Sequence, residues 1–170
     1  DGASLGSNNI GIKDYTVTIN NATSTELVFT ADNGGSLVVN SGNLALNNSG
    51  SLAQLDADLA VIIGSGAVLT TAQSEAVKSL EGDGSVVIAA STSLTVEGET
   101  SFNGALTGDG ALTVNATGET VELTGTNTFT GGTTVTAGTL KGDSDALQGA
   151  IANSGTVEFA QSTAGEYAEV

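Results

Sequence analysis

Short runs of alternating apolar and polar residues recur along the whole chain, separated by Gly, Asn, Asp and Ser. A period of two with much Val, Ile and Thr is typical of β-strands, and the small polar residues between the runs are typical of turns. About fifteen such runs at close spacing leave an all-β sandwich, barrel or solenoid. The clearest predicted strands are residues 15–19, 26–30, 36–40, 85–88, 93–96, 111–114, 120–123 and 156–159.

Two segments lack this alternation. Residues 70–80 open with a Thr and a Gln at capping-box spacing and place Ala72, Ala76 and Leu80 on one face, which predicts a short helix. Residues 144–149 predict one helical turn.

One further segment is ambiguous. Residues 51–60 begin with a capping-box spacing, so they fit a helix. Leu55, Ala57 and Leu59 also alternate as in a strand, and we favour the strand.

Internal repeats distinguish among the three architectures. Residues 98–104 match residues 125–131, 27 positions later, and residues 82–86 match residues 108–112, 26 positions later. A unit of this kind buries its apolar face only against its neighbours, which predicts a parallel β-solenoid. About 20–25 residues per coil give about seven coils. Asn residues cluster at the turns and are expected to hydrogen-bond along such a rod in a structural role: Asn20, Asn21, Asn33, Asn40, Asn43, Asn47, Asn48, Asn115, Asn127 and Asn153.

The composition narrows the function mainly by what it lacks. Three Lys against 19 Asp and Glu give a net charge of −16, and there is no Cys or His. The chain therefore has no thiol or imidazole for catalysis, and the common zinc sites lose their main ligands. Because an acidic surface repels polyanions, we expect no nucleic-acid partner and no docking on anionic lipid.

The apolar runs are also too short for a membrane span. The longest is residues 59–63, against the roughly 20 residues that a spanning helix needs, so direct membrane insertion is not expected. Residues 1–4 lack the basic and apolar regions of a signal peptide, and we expect a mature N-terminus or an internal piece. The acidic, Cys-free, Gly- and Thr-rich composition fits an exported bacterial surface protein.

The carboxylates are the one plentiful reactive group. Glu97 and Glu99 flank a Gly, and Asp143 and Asp145 flank a Ser, so either pair is a candidate for glycoside hydrolysis or Ca²⁺ binding. The simpler expectation is that they are solvated residues that keep the protein soluble. Sugar-active β-helix enzymes also need cations and stacking aromatics, which are scarce here. We therefore predict no enzyme and no catalytic residues.

Calcium is the only cofactor for which the sequence offers candidates. Asp83 and Asp109 lie in two Gly-Asp-Gly turns that look equivalent, and Asp143 and Asp145 form the second acidic group. No EF-hand loop or calcium-binding nonapeptide repeat is present. Since Asp-Gly is a common turn pair, turn formation is the expected role of these residues.

A stretch near the C-terminus resembles the passenger-associated β-strand repeat of bacterial autotransporters. Residues 123–140 read LTGTNTFTGGTTVTAGTL, which is close to the core of that repeat. The resemblance is clear over residues 98–170 and only general in style over residues 26–97. Further matching segments are residues 102–113 (the preceding coil), 142–149 (the turn after the core), 153–159 (the next strand) and 166–170 (the start of another coil).

The resemblance implies a fold and an export route. Its members are right-handed parallel β-helices, so we expect one β-solenoid over residues 1–170, with one or two short helical turns and the clearest passenger-type repeats at residues 98–170. Family members are exported through a C-terminal outer-membrane β-barrel, which the full-length protein would carry. The family shares no catalytic residues, so none is assigned.

The resulting expectation is a structural or adhesive segment of a secreted bacterial cell-surface protein. Its partner would be a receptor on a host or neighbouring cell, or a second copy paired end to end. One alternative is a subunit of an extracellular filament or surface layer, built as a β-sandwich that accepts a strand from its neighbour. A third hypothesis is a carbohydrate-active β-helix enzyme.

Overall fold

The strands of the protein are short and numerous. A computed structural model describes residues 9–12, 16–19, 28–31, 35–46, 55 and 57–167, with side chains from residue 35 onward. The described residues form seventeen strands: β1 Asn9–Ile12, β2 Thr16–Ile19, β3 Val28–Ala31, β4 Gly35–Val39, β5 Asn43–Leu46, β6 Leu59–Ile63, β7 Val68–Thr71, β8 Glu75–Val77, β9 Ser79–Gly82, β10 Ser85–Ile88, β11 Ser93–Val96, β12 Thr100–Phe102, β13 Ala105–Thr107, β14 Ala111–Leu123, β15 Thr133–Gly142, β16 Ile151–Asn153 and β17 Thr156–Phe159.

The described strands pair only in parallel, and each pairs with a strand of the next coil. Of the described strands, β1 and β3 pair only with each other. The pairings of the other strands group them into three columns, which form the three faces of the solenoid. Face A contains β2, β4, β6, β9, β12, the ends of β14 and β15, and β17. Face B contains β5, β7, β10 and β13. Face C contains β8, β11, the starts of β14 and β15, and β16.

This topology is a parallel β-solenoid, as the repeats predicted. Residues that stack directly on one another are separated by 17 positions, as for Thr139 and Thr156, up to 25 positions, as for Asn43 and Val68. The chain makes about five turns between β6 and β17. The alternative of a strand-accepting sandwich is therefore wrong, because a sandwich packs two antiparallel sheets face to face.

Alternation in the sequence becomes alternation between core and surface. On face A the inward residues of successive coils form a column: Leu37, Val61, Leu80, Thr100, Val121 and Leu140. Thr100 is the polar member, and its hydroxyl accepts a hydrogen bond from the Leu80 N–H at 3.1 Å and donates to the Gly98 carbonyl at 3.4 Å. Burying the Thr100 hydroxyl costs little free energy, because the hydroxyl both accepts and donates a hydrogen bond. The column of inward residues therefore continues through Thr100.

Phe102, the largest side chain that is fully buried, needs small residues around it. Gly82 occupies the same inward column one coil earlier, and a Cβ placed at Gly104 would meet the Phe102 ring and overlap the Gly84 backbone oxygen. The backbones of successive coils thus approach too closely at this corner for a side chain at Gly104. The returning Gly of the sequence repeat marks this close approach.

The predicted helix over residues 70–80 is wrong. These residues contain the end of β7, all of β8 and the start of β9, and Ala72, one of the proposed helix-face residues, is exposed. The alternation was hidden because the strands are three or four residues long and two inward positions are polar, Glu75 and Ser79. Stacking on neighbouring coils outweighs a weak local helix propensity. Nothing in the described part of the chain forms a helix long and apolar enough to cross a membrane.

Two further local predictions concern residues 144–149 and residues 51–60. The turn at residues 144–149 is confirmed: the Leu147 N–H donates to the Asp143 carbonyl at 2.9 Å, a single helical turn. In the ambiguous segment 51–60, only Leu59 and Ala60 are seen in a strand, and residues 51–54 and 56 lie outside the described residues.

Replacing Gly104 by Ala tests the close stacking of coils. We expect Gly104→Ala to lower the free energy of unfolding in urea by about 3 kcal/mol, because the new methyl group overlaps fixed backbone. The matched control is Gly66→Ala: Gly66 has φ of +78° and open space around it, so only the conformational cost of about 1 kcal/mol applies. Equal losses in the two variants would contradict the tight stack at Gly104.

Candidate functional site

The outward side of face A carries a column of charged residues. Glu81, Ser101, Glu122, Lys141 and Glu158 stack in register on successive coils. The Lys141 Nζ lies 3.0 Å from a Glu122 carboxylate oxygen. This hydrogen bond, together with the charges of Glu122 and Glu158, raises the pKa of Lys141. The column therefore alternates in sign at its C-terminal end and is purely acidic at Glu81.

Beside this column lies the acidic opening, a shallow depression of about 280 Å³. Glu81, Glu99 and Glu122 line it together with Thr100, Ser101 and Thr120. Glu97, the partner of Glu99 in sequence, is exposed and does not line the opening, so the structure separates this predicted acid pair. Among the described residues, no three carboxylates converge closely enough to hold a metal ion.

The two Gly-Asp-Gly turns lie at different corners of the solenoid. Asp83 sits between β9 and β10, where face A turns into face B, whereas Asp109 sits between β13 and β14, where face B turns into face C. The expectation that they are equivalent is wrong, because the 26-residue match does not follow one circuit of the chain. Each carboxylate bonds to the next coil: Asp83 accepts from the Asn103 amide at 3.2 Å and Asp109 from the Thr130 hydroxyl at 3.0 Å.

The second acid pair builds a turn. Asp143 Oδ1 accepts hydrogen bonds from the backbone N–H groups of Asp145 at 3.0 Å and Ala146 at 2.9 Å. Asp145 is exposed and makes no side-chain hydrogen bond to the described residues. Asp143 thus caps the helical turn in the way that its sequence context favours. Calcium binding at these two acids stays a prediction.

The most unusual carboxylate was missed by the sequence analysis. Glu75 is 3% exposed and points into the core of face C, where Leu94 and then Leu112 stack upon it. Its Oε2 accepts the N–H of Leu55, one coil earlier, at 2.5 Å. Its Oε1 has no hydrogen-bond partner among the described residues. Strand alternation through Thr71, Glu75 and Val77 would have placed it inward, but the helix prediction hid that signal.

Burial changes the protonation of Glu75. Loss of hydration raises the pKa of its carboxyl from 4.5 to about 7, against the lowering effect of the Leu55 N–H and of the nearby Gln73 side chain. A carboxyl held in this way loses its proton near neutral pH, although no second reactive group accompanies it among the described side chains. It is therefore a pH-sensitive group within the core.

Asn127 links three coils. It is 1% exposed; its Oδ1 accepts the N–H of Leu106 at 2.7 Å, and its Nδ2 donates to the Ala146 carbonyl at 2.6 Å. Its own N–H donates to the Asp145 carbonyl at 3.2 Å. The structural role expected for Asn at the turns is therefore seen at this residue, as a bridge between neighbouring coils.

Glu75→Gln tests the buried carboxyl. The folded chain holds the Glu75 proton between pH 4.5 and about 7, where the unfolded chain has lost it, so stability falls as the pH rises through this window. The amide keeps an acceptor for Leu55 but cannot ionise. We expect Glu75→Gln to match the original chain at pH 4 and to exceed its stability at pH 8 by about 2 kcal/mol in urea unfolding.

The control for this experiment removes an equal charge at an exposed site. Glu97→Gln should show no comparable gain between pH 4 and pH 8, because Glu97 is exposed to water in the folded chain. A Glu75→Gln variant that is destabilised at pH 8, or no more stabilised than Glu97→Gln, would contradict the burial of an ionisable carboxyl.

Comparisons with known proteins were made by three routes. A scan against protein-family models, a search of curated proteins and a search of solved structures gave no match. The function must therefore be argued from the solenoid, its surface and the residues that form them.

Proposed function

We propose that this chain is a structural, non-catalytic segment of a secreted bacterial cell-surface protein, a stalk or adhesive passenger of the autotransporter type. Its solenoid is a rigid scaffold with a continuous core, and such scaffolds present long lateral surfaces. The described carboxylates are dispersed over several corners and faces.

The observation that carries this proposal is the role of the passenger-like segment 123–140. Asn127 bridges three coils, Phe129 fills the core, and a Cβ at Gly138 would overlap the Ala116 backbone oxygen. The residues that make the resemblance are thus those that stack one coil on the next. A motif of this kind encodes a rod and leaves the outward residues free to vary, as a projecting surface protein requires.

Surface display tests the proposal. The chain would be fused between an N-terminal epitope and an outer-membrane β-barrel of the autotransporter type, and expressed in a Gram-negative host. We expect the epitope to be accessible to antibody on intact cells, and the displayed chain to resist protease, because stacked parallel strands leave little backbone open. Attachment to epithelial cells and cell–cell aggregation would be scored in the same cultures; a gain in either favours an adhesin, and no gain favours a stalk.

The control for display is Gly104→Ala, which weakens the stack while leaving charge and length unchanged. It should reach the surface but lose protease resistance. If the epitope of the unaltered fusion became accessible only after the outer membrane was permeabilised, the proposed role at the cell surface would be contradicted.

Self-association is a second part of the proposal, and it rests on the last described coil. Among the described residues, β16 and β17 each pair with β15 alone, and Phe159, whose ring contacts Tyr167 edge-on, is 47% exposed. Open strand edges beside apolar side chains favour pairing with another chain. We expect the sedimentation coefficient to rise over about a hundredfold increase in concentration at 0.15 M salt.

A charge on the open edge should suppress this association. Phe159→Lys places a cation where another strand would dock, whereas Thr134→Lys adds the same charge to an exposed position of β15, which is paired on both sides. We expect only Phe159→Lys to keep the protein monomeric. A monomer at every concentration without any substitution would contradict end pairing.

A further inference from the structure

Face B is interrupted after its last regular strand. Residues 128–130 stack against β13 of the preceding coil. The N–H groups of Thr128 and Thr130 donate to the carbonyls of Leu106 and Gly108, each at 2.9 Å. On the next coil, face B has no strand among the described residues, because Asp143 to Leu147 form the helical turn there instead. The regular sheet of face B thus ends at β13, and residues 128–130 extend it by these two backbone hydrogen bonds.

Along residues 127–133, backbone N–H groups donate hydrogen bonds both to the preceding coil and to the next coil. Asn127 and Thr133 bond to the next coil through their N–H groups, to the carbonyls of Asp145 at 3.2 Å and Ala150 at 2.9 Å. In a strand, alternate residues direct their N–H and C=O to opposite edges. Phe129 lies two residues after Asn127, so its N–H and C=O point to the same edge. Neither group has a hydrogen-bond partner among the described residues.

A cavity lies along this edge. The face-B groove, between residues 128–132 and residues 148–150, has a volume of about 420 Å³. That volume is within the range of binding pockets. Phe129 is 4% exposed and belongs to the core cluster, and it also lines the groove.

We propose that the face-B groove binds an extended peptide strand of a partner protein, which pairs with the backbone of Phe129. An unpaired N–H and C=O on one residue of an extended segment, flanked on both sides by backbone hydrogen bonds to the next coil, is complementary to the C=O and N–H of a strand. Residues 128–130 span about 10 Å, so the groove takes about three or four residues. This site is independent of the proposed role at the cell surface.

The lining defines the chemistry of that strand. Ala146 and Leu147 of the helical turn are buried in the same core, so the residue that faces inward over Phe129 must be small, Ala or Gly. Thr128 and Thr130 are exposed beside the groove and suit Thr or Val in the neighbouring positions. With a net charge of −16 and Asp109 bonded to Thr130, the surroundings disfavour an acidic peptide and favour a neutral or basic one.

Amide NMR provides the test, with the capped peptide acetyl-Lys-Thr-Ala-Thr-Lys-amide as the probe. At saturating peptide we expect hydrogen exchange of the Phe129 N–H to slow at least about tenfold. The N–H groups of Thr128 and Thr130, already paired with the preceding coil, serve as internal controls and should change little. The same peptide with N-methylated Ala keeps its side chains but loses a central donor, and it should bind much more weakly.

Several outcomes would overturn the proposal. These are no change at Phe129 at millimolar peptide, equal binding of the N-methylated peptide, or a response at Phe129 to maltotriose but not to peptide, which would make the groove a sugar site. Ala150→Tyr, at an exposed position of the lining, should block the peptide while leaving the amide shifts of β13 unchanged. Unaltered binding to this variant would also contradict the proposed location.

Discussion

Parallel pairing between successive coils is the interaction on which the rest of the structure depends. A single coil of about twenty residues is made of strands that are mostly three to five residues long, and it cannot bury its own apolar positions. Stacking places each inward side chain directly on another, as Leu37, Val61 and Leu80 do on face A. Because the backbones are held at the spacing of a sheet, the corners demand small residues, and a corner residue such as Gly104 has no room for a side chain.

The strands of the solenoid could be predicted from sequence because alternation survives wherever the inward positions are apolar. Residues 85–88 and 93–96 coincide with β10 and β11 for this reason. The prediction failed at residues 70–80, where Glu75 and Ser79 occupy inward positions and imitate a polar helix face. The circuit length was also hidden: the matches at 26 and 27 residues relate different corners, since loops of unequal length shift the register from coil to coil. The fold determines which residues stack on one another, and these are not the residues of the most similar sequence segments.

The candidate site was likewise only partly predictable from the sequence. The expectation that acidic residues at the turns have structural roles agrees with Asp83, Asp109 and Asp143, each of which accepts a hydrogen bond at a corner. Alternation alone could have placed Glu75 inward, but neither the surroundings of its carboxyl nor the interrupted edge at Phe129 could be read from the sequence. Both depend on which residues of another coil lie opposite, and that is known only once the coils are stacked. At both places a polar group lacks a hydrogen-bond partner among the described residues: Glu75 Oε1 and the backbone of Phe129.

The stacking itself is tested most directly by distances along one outward column. The chain has no Cys, so spin labels can be placed in pairs by Val38→Cys with Glu158→Cys and by Glu81→Cys with Glu158→Cys. These positions are six and four coils apart in register, which gives backbone separations of about 29 Å and 19 Å at the spacing of paired strands. Pulsed electron–electron double resonance should return two narrow distance distributions whose centres differ by about 10 Å. Broad distributions, or equal distances for the two pairs, would contradict a continuous parallel solenoid.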